Sequence, residues 1–252
     1  MSDADHTTSA TEKPEGKIDL LTFPVQPLGC NCSILIHKKS REAIVVDPGG
    51  EAPKIIELLK EHNADVRWIV HTHAHFDHCL GTHEVAEHAR DHGGETGRRK
   101  GDPEKSASDS AKNETAAVKV GLHQADMFLY ENLGAQCRLF GLPPEEARTA
   151  IDHHLQDEEP LTFGDMQLKV LHTPGHTPGS CCFSIEEAGL VFSGDTLFQM
   201  GIGRTDLPGG DPEAITKSIR DRLFTLDEGT SVIPGHGRFT RIYEEKQMNP
   251  FF

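Results

Sequence analysis

The sequence is short of positive charge. It holds 25 lysines and arginines against 40 aspartates and glutamates, which gives a formal net charge of −15. Nucleic acids and anionic membrane surfaces bind to basic faces, so neither is expected as a main partner. A small anionic substrate is still allowed, because a bound divalent cation can dominate the local field.

Long apolar runs and paired cysteines are also missing. There is no apolar run of the roughly eighteen residues that a membrane span needs, and the polar segment 1–17 has no apolar stretch typical of a secretory signal. The six cysteines are too few for a disulfide scaffold and form no CxxC metal motif. We therefore expect reduced thiols and a cytoplasmic location.

Two segments lack the apolar residues that a core requires. Residues 1–17 are rich in Ser, Thr, Asp and Glu, and 93–117 contain no aliphatic residue larger than alanine. We predict a disordered tail over 1–17 and a single domain over 18–252, with a flexible insertion at about 93–117. The insertion is interpreted as a surface loop, with a substrate lid as the alternative.

Short aliphatic runs bounded by Pro, Gly or charged residues predict strands, and apolar residues at helical spacing predict helices. The predicted strands are 18–23, 32–37, 42–47, 66–70, 118–122, 167–172, 181–185, 190–193 and 231–233. The predicted helices are 51–62, 79–86, 124–132, 143–153 and 211–223.

Four histidines and an aspartate lie within the eight residues 71–78, directly after a predicted strand. A buried imidazole needs a polar partner, so a cluster of this density favours a metal site over a polar surface turn. His83, His88 and His92 follow on a predicted helix and are expected to be solvated.

Further candidate ligands follow other predicted strands. His176 lies between two Pro-Gly pairs, Asp195 ends the strand 190–193, and His236 lies in a Pro-Gly-His-Gly turn. With His73, His75, Asp77 and His78 they make seven side chains, more than one tetrahedral zinc can use. Two divalent ions sharing a carboxylate would use all seven; zinc is expected, with iron or manganese as alternatives.

Asp47 ends another predicted strand, ahead of Pro48 and two glycines. An aspartate there is a turn former, and it could equally lie beneath a metal site as the acceptor for a histidine N–H. Both interpretations stay open.

The motif Thr72-His73-Ala74-His75-Phe76-Asp77-His78 resembles the signature of the metallo-β-lactamase superfamily, and the turns at His176, Asp195 and His236 follow in the order that family uses. The resemblance spans about 18–236. It implies an α+β fold, the αββα sandwich of two mixed sheets with helices outside. It also implies that His73, His75 and His176 hold one metal, that Asp77, His78 and His236 hold the second, and that Asp195 bridges them.

Within the superfamily, residues 27–32, 46–50 and 203–211 most resemble glyoxalase II-like hydrolases, in a compact form without their C-terminal helical domain. The implied activity is hydrolysis of hydroxyacyl-glutathione thioesters, such as S-lactoylglutathione, by a hydroxide that bridges the metals. Asp77 would be catalytic, as ligand and proton acceptor. Arg204 is either a contact to the small-molecule thioester or a brace of its own loop.

Other functions fit the same motifs. The Gly203–Asp206 loop is similar to that of mononuclear-iron persulfide dioxygenases, and a lactonase or β-lactamase would differ only in the leaving group. A non-catalytic metal-binding scaffold is disfavoured, because histidine-rich turns supplying seven ligands are typical of a catalytic site. The sequence does not predict the oligomeric state.

Overall fold

The structure is a computed structural model that describes residues 16–92 and 117–252. The predicted tail over 1–17 and the predicted insertion over 93–117 lie outside the described residues, apart from Gly16, Lys17 and Ala117. The strands are β1 Ile18–Val25, β2 Cys30–His37, β3 Glu42–Val46, β4 Asp65–Val70, β5 Lys119–His123, β6 His153–Leu155, β7 Pro160–Phe163, β8 Met166–His172, β9 Cys181–Ile185, β10 Leu190–Gly194, β11 Leu197–Phe198, β12 Gly201–Ile202, β13 Ser231–Pro234 and β14 Thr240–Arg241. The helices are α1 Ala52–Glu61, α2 Phe76–Cys79, α3 Thr82–His92, α4 Met127–Tyr130, α5 Leu133–Leu139, α6 Pro212–Ser218 and α7 Ile242–Met248.

The strands form two six-stranded mixed sheets. The first sheet has the order β1-β2-β3-β4-β5-β6 and the second β14-β13-β10-β9-β8-β7, while β11 and β12 form a small hairpin. In the first sheet β3, β4, β5 and β6 run parallel, and in the second β10 and β13 do. The predicted α+β fold, with two mixed sheets and flanking helices, is confirmed.

The side chains of the strands alternate between two apolar layers, as the two-residue period of a strand requires. On β2, Ile34 and Ile36 pack against α1 and α3, whereas Leu35 points to the second sheet. On β9, Phe183 faces the first sheet while Cys182 faces α6 and α7. Both sheets are therefore buried on two faces, which explains why their central strands are nearly continuous apolar runs.

The strand directions bring the predicted functional residues to one edge of the molecule. In the first sheet, the parallel strands β3, β4 and β5 have their carboxyl ends side by side. In the second sheet, β8 and β10 are both antiparallel to β9, and β10 is parallel to β13, so these three also end together. The two edges are joined by backbone hydrogen bonds, for example from Cys181 N to Thr72 O at 2.7 Å.

The predicted helix over 143–153 is wrong. This segment has no helical turn and ends in β6. Its polar groups are held by neighbouring helices instead: the Tyr130 hydroxyl donates to Thr149 O at 2.9 Å, and Arg148 pairs with Glu84. Tertiary contacts have here overridden the helix-forming residues of the sequence.

Two further properties agree with the composition. The six cysteines are all buried and free of disulfides. Over residues 16–92 and 117–252, no helix is long and apolar enough to cross a membrane.

Candidate metal centre

The first cluster of candidate ligands consists of His73, His75 and His176. The first two lie in the loop between β4 and α2, and His176 lies in the loop between β8 and β9. His75 Nδ1 is 3.0 Å from His73 Nε2 and 2.9 Å from His176 Nε2, and all three rings are buried. Three ring nitrogens therefore point at one common centre.

Two of these imidazoles, those of His73 and His75, are neutral at physiological pH. Burial, followed by the neighbouring histidines, lowers the pKa of His75 to about 3 and holds the pKa of His73 well below its ordinary value. A neutral imidazole offers the lone pair that a metal ligand needs. His73 and His75 thus have the protonation state that a cation would require.

The second cluster consists of Asp77, His78 and His236. Asp77 and His78 lie on α2, and His236 follows β13. His236 Nε2 is 3.3 Å from His78 Nε2 and 3.1 Å from Asp77 Oδ2. Burial raises the pKa of Asp77, but His78 and the contact with His236 outweigh it, so that the pKa falls to about 2. Asp77 is therefore an anion at neutral pH.

Asp195 lies between the two clusters. Its Oδ1 is 3.5 Å from His78 Nε2, and its Oδ2 is 3.6 Å from His176 Nε2 and 3.8 Å from His236 Nε2. Oδ1 is buried, yet no described residue forms a hydrogen bond with it. A buried carboxylate oxygen without a donor is costly unless a cation lies beside it.

No side chain fits at residue 235, because the side chains of Asp195 and His78 lie too close to its Cα. A Cβ on Gly235 would overlap Asp195 Oδ1 and lie 2.8 Å from His78 Cε1. The glycine therefore lets the His236 turn approach both donors closely. Five imidazoles, two carboxylates and one oxygen without a donor make a set that fits two divalent metal ions.

The histidine ring nitrogens that face away from the two clusters form hydrogen bonds. His78 Nδ1 donates to Asp47 Oδ2 at 3.0 Å, and His176 Nδ1 donates to Arg204 O at 2.7 Å. Thr72 Oγ1 donates to Asp47 Oδ2 at 2.7 Å, so it accepts from His73 Nδ1 at 3.1 Å. These bonds fix the tautomers that direct each Nε2 to the centre.

Both interpretations of Asp47 hold. Its backbone has φ +50° at the end of β3, as a turn residue would, and its side chain orients His78. Cys30 Sγ also lies 3.4 Å from His78 Nδ1. Burial raises the pKa of Cys30 to about 12, so the sulfur is a neutral thiol and a poor ligand.

The other histidines near the motif lie apart from the centre. His71 is buried, with Nδ1 3.2 Å from His78 O and Nε2 3.2 Å from Thr82 Oγ1, so its ring points away from the two clusters. On α3, His92 is exposed and His88 is half-buried, and the half-buried His83 faces Thr149, 3.0 Å away. None of these four is among the seven candidate ligands that the sequence singles out.

Arg204 is exposed and forms a two-pronged ion pair with Asp206. Its Nε and Nη2 donate to Oδ1 and Oδ2 at 2.7 and 2.8 Å. The guanidinium thus braces its own loop, while the Arg204 carbonyl accepts from His176. The side chain is 55% exposed, so it is also open to a ligand.

The sequence missed Asp126, which is fully buried behind the first cluster. The sequence pattern places it on an amphipathic helix over 124–132, whereas α4 begins at Met127. A signal was present, because Asp126 lies only three residues after the end of β5, as Asp47 lies directly after the end of β3.

Sequence comparison shows which known family and proteins this chain is similar to. The family model of the metallo-beta-lactamase superfamily matches residues 25–236. The chain is 36% identical over 230 residues to a protein of Haemophilus influenzae named hydroxyacylglutathione hydrolase GloC, covering 91% of this chain and 95% of the relative.

Solved structures with this fold superpose on most of the chain. The BLEG-1 B3 metallo-beta-lactamase superposes with a TM-score of 0.76 at 34% identity, covering 92% of this chain and 99% of that one. TTHA1623 in a di-iron-bound form superposes with a TM-score of 0.74 at 32% identity, covering 92% of this chain and all of that one, 100%.

Proposed function

This chain belongs to the metallo-beta-lactamase superfamily of metallo-hydrolases, and from that premise we propose that it hydrolyses hydroxyacyl-glutathione thioesters with two divalent metal ions. Zinc is our first choice of metal, with iron and manganese as alternatives. The proposal rests on one observation. The two clusters of candidate ligands meet at Asp195, whose Oδ1 has no hydrogen-bond donor among the described residues. The substrate class is taken from the relative named hydroxyacylglutathione hydrolase.

Each cluster has a defined part in this proposal. His73, His75 and His176 would hold one ion, and Asp77, His78 and His236 the other, with Asp195 shared by both. Bound there, the ions would supply an acidified water and a polarised carbonyl. The hydrogen bonds of the ring nitrogens that face away from the centre fix the orientation of the metal-binding nitrogens before substrate binds.

Asp77 is the catalytic residue of the chain itself. The contact of its Oδ2 with His236 Nε2 at 3.1 Å keeps this oxygen at the centre, and its low pKa keeps it ionised. An ionised carboxylate can orient a water molecule by accepting its hydrogen bond and can take up its proton during attack.

The leaving group makes only a small demand on the protein. A thiol has a pKa of about 8.5, so it can depart as a thiolate without protonation by a strong general acid. A thioester is accordingly a suitable substrate for a site whose ionisable groups are committed to holding metal and water.

Arg204 is our candidate contact to the carboxylates of the glutathione moiety. If it is, Arg204→Ala should raise KM for S-lactoylglutathione by about threefold to tenfold, the effect of an exposed charge contact worth about 1 kcal/mol, with kcat nearly unchanged. Asp206→Asn should lower KM, because it removes the carboxylate that competes for the guanidinium. Steady-state kinetics check both variants.

A neutral thioester with the same acyl group is the control for this prediction. Neither variant should change its KM. If Arg204→Ala leaves KM for S-lactoylglutathione unchanged as well, the arginine only braces its loop.

The function itself is tested by assaying the metal-loaded protein with S-lactoylglutathione, a β-lactam and glutathione persulfide, together with metal analysis. We expect release of glutathione from the thioester, no oxygen uptake and two ions per chain. Preferred turnover of the β-lactam would replace the proposal by a lactamase, which is how the neighbour BLEG-1 is named. Oxygen uptake with one iron per chain would replace it by a persulfide dioxygenase.

A further inference from the structure

Asp126 is a buried carboxylate without a cationic side chain beside it. It is 0% exposed, and among the described residues no lysine or arginine pairs with it. Removing a carboxylate from water costs several kcal/mol unless hydrogen bonds replace its hydration. A charge in this position therefore calls for a specific role.

Its hydrogen bonds connect two loops that are far apart in the sequence. Oδ2 accepts from Ala74 N at 3.1 Å and from Thr177 Oγ1 at 2.7 Å, and Oδ1 accepts from Gly179 N at 2.6 Å. Ala74 separates His73 from His75, and Thr177 follows His176 directly. One side chain thus ties together the two loops that carry the first cluster.

The close approach of Asp126 depends on a glycine. A Cβ on Gly179 would lie 2.6 Å from Asp126 Cγ and 2.7 Å from its Oδ1. Real Cβ atoms do not come so close, so the second Pro-Gly pair around His176 leaves space for this carboxylate.

His75 depends most on this bracing. It directs Nδ1 to the centre, whereas His73 and His176 direct Nε2. Nδ1 is bonded to Cγ, the ring atom attached to Cβ, so it lies close to the backbone. A shift of the backbone therefore displaces Nδ1 by nearly the same distance. Gln136 strengthens the brace by donating to Ala74 O at 3.0 Å and accepting from Phe76 N at 3.1 Å.

We propose that Asp126 is a positioning residue that assembles the three-histidine cluster by joining the His73–His75 loop to the His176 loop. It touches none of the three rings and acts through the backbone beside them. Among the contacts of the described residues, the second cluster, on α2 and after β13, donates no hydrogen bond to Asp126. The inference rests on the proposed function, because it assumes that this cluster binds metal.

The experiment separates the two clusters. His236→Ala weakens the second cluster and leaves the three-histidine cluster intact, and His75→Ala does the reverse. Asp126→Asn is then added to each. The amide has the shape of the carboxylate but only one oxygen, so whichever way it turns, its NH2 faces the N–H of Ala74 or of Gly179.

In the His236→Ala background we expect Asp126→Asn to weaken zinc binding by about 10- to 100-fold, the usual effect of losing a residue that orients a ligand. In the His75→Ala background we expect no change. The measurements are zinc dissociation constants from chelator competition and the absorption spectrum of the cobalt(II) form. Both are independent of activity.

Two further variants serve as controls. Leu59→Ala removes buried volume between α1 and the first sheet, so it lowers the melting temperature without weakening zinc binding. Thr177→Val removes a single donor to Asp126 and should weaken zinc binding in the same direction by a smaller factor, which keeps the test valid if Asp126→Asn does not fold.

The outcomes are distinct. Unchanged zinc affinity of Asp126→Asn in the His236→Ala background overturns the inference alone, as does equal weakening in both backgrounds. A wild-type chain that binds zinc but does not hydrolyse thioesters overturns only the proposed function. A wild-type chain that binds no metal overturns both.

Discussion

Replacing Asp77 by alanine is expected to lower thioester hydrolysis by about 10³-fold or more, with the fold retained, because the variant loses a proton acceptor and a metal donor at once. Asp77 lies on the short helix α2, and its carboxylate contacts His78 and His236 of the second cluster. We would measure kcat at saturating zinc and confirm the fold by circular dichroism and a thermal melt.

His236→Ala is the matched variant for Asp77→Ala, because it removes a donor of the same cluster but leaves the carboxylate. We expect it to regain part of its activity as zinc is raised, whereas Asp77→Ala should not. Asp157→Asn, which disrupts an exposed pair with Arg222, should retain full activity. Substantial turnover by zinc-saturated Asp77→Ala would show that the water is activated elsewhere.

Removing metal is the second change for which we expect a large effect. Dialysis against a chelator should abolish turnover and lower the melting temperature by roughly 10 °C, because an ion at about 1,000 times its dissociation constant stabilises the native state by about 4 kcal/mol. Two equivalents of zinc should restore both properties. The physical reason is the structure of the centre, in which ring nitrogens of both clusters converge and Asp195 Oδ1 has no hydrogen-bond partner among the described residues.

Asp195→Asn provides the control for the chelator experiment. Its melting temperature should change much less on chelation, since the shared carboxylate is missing before the metal is removed. A wild-type melting temperature that does not respond to chelator would contradict the assignment of the centre, even if some hydrolysis persisted.

The candidate ligands could be singled out from the sequence for a local reason. Each lies in a short turn directly after an apolar run, so its surroundings are encoded within a few residues. The same holds for α6, whose start is set by Asp211, which accepts from the N–H groups of Glu213 and Ala214.

The features that the sequence did not reveal depend on distant partners. Asp126 acquires its role only because β5 lies beside β4 in a parallel sheet, so that its side chain meets Ala74. The segment 143–153 has helix-forming residues but is held extended by Tyr130 and Glu84. The strands β6, β7 and β14 are too short to show a period, and they exist because longer strands pair with them.

The way the donors are braced bears on how this protein could evolve. Asp47 and Asp126 hold the donor loops from inside the protein, where nearly every substitution would be costly. Arg204 and Asp206 lie at the surface and bind each other, so their side chains can be exchanged without moving a donor. If Arg204 contacts the substrate as proposed, mutations at the rim would change substrate preference in small steps and leave the two donor clusters intact. That separation is consistent with a hydroxyacylglutathione hydrolase and a B3 metallo-beta-lactamase being named among relatives of similar identity.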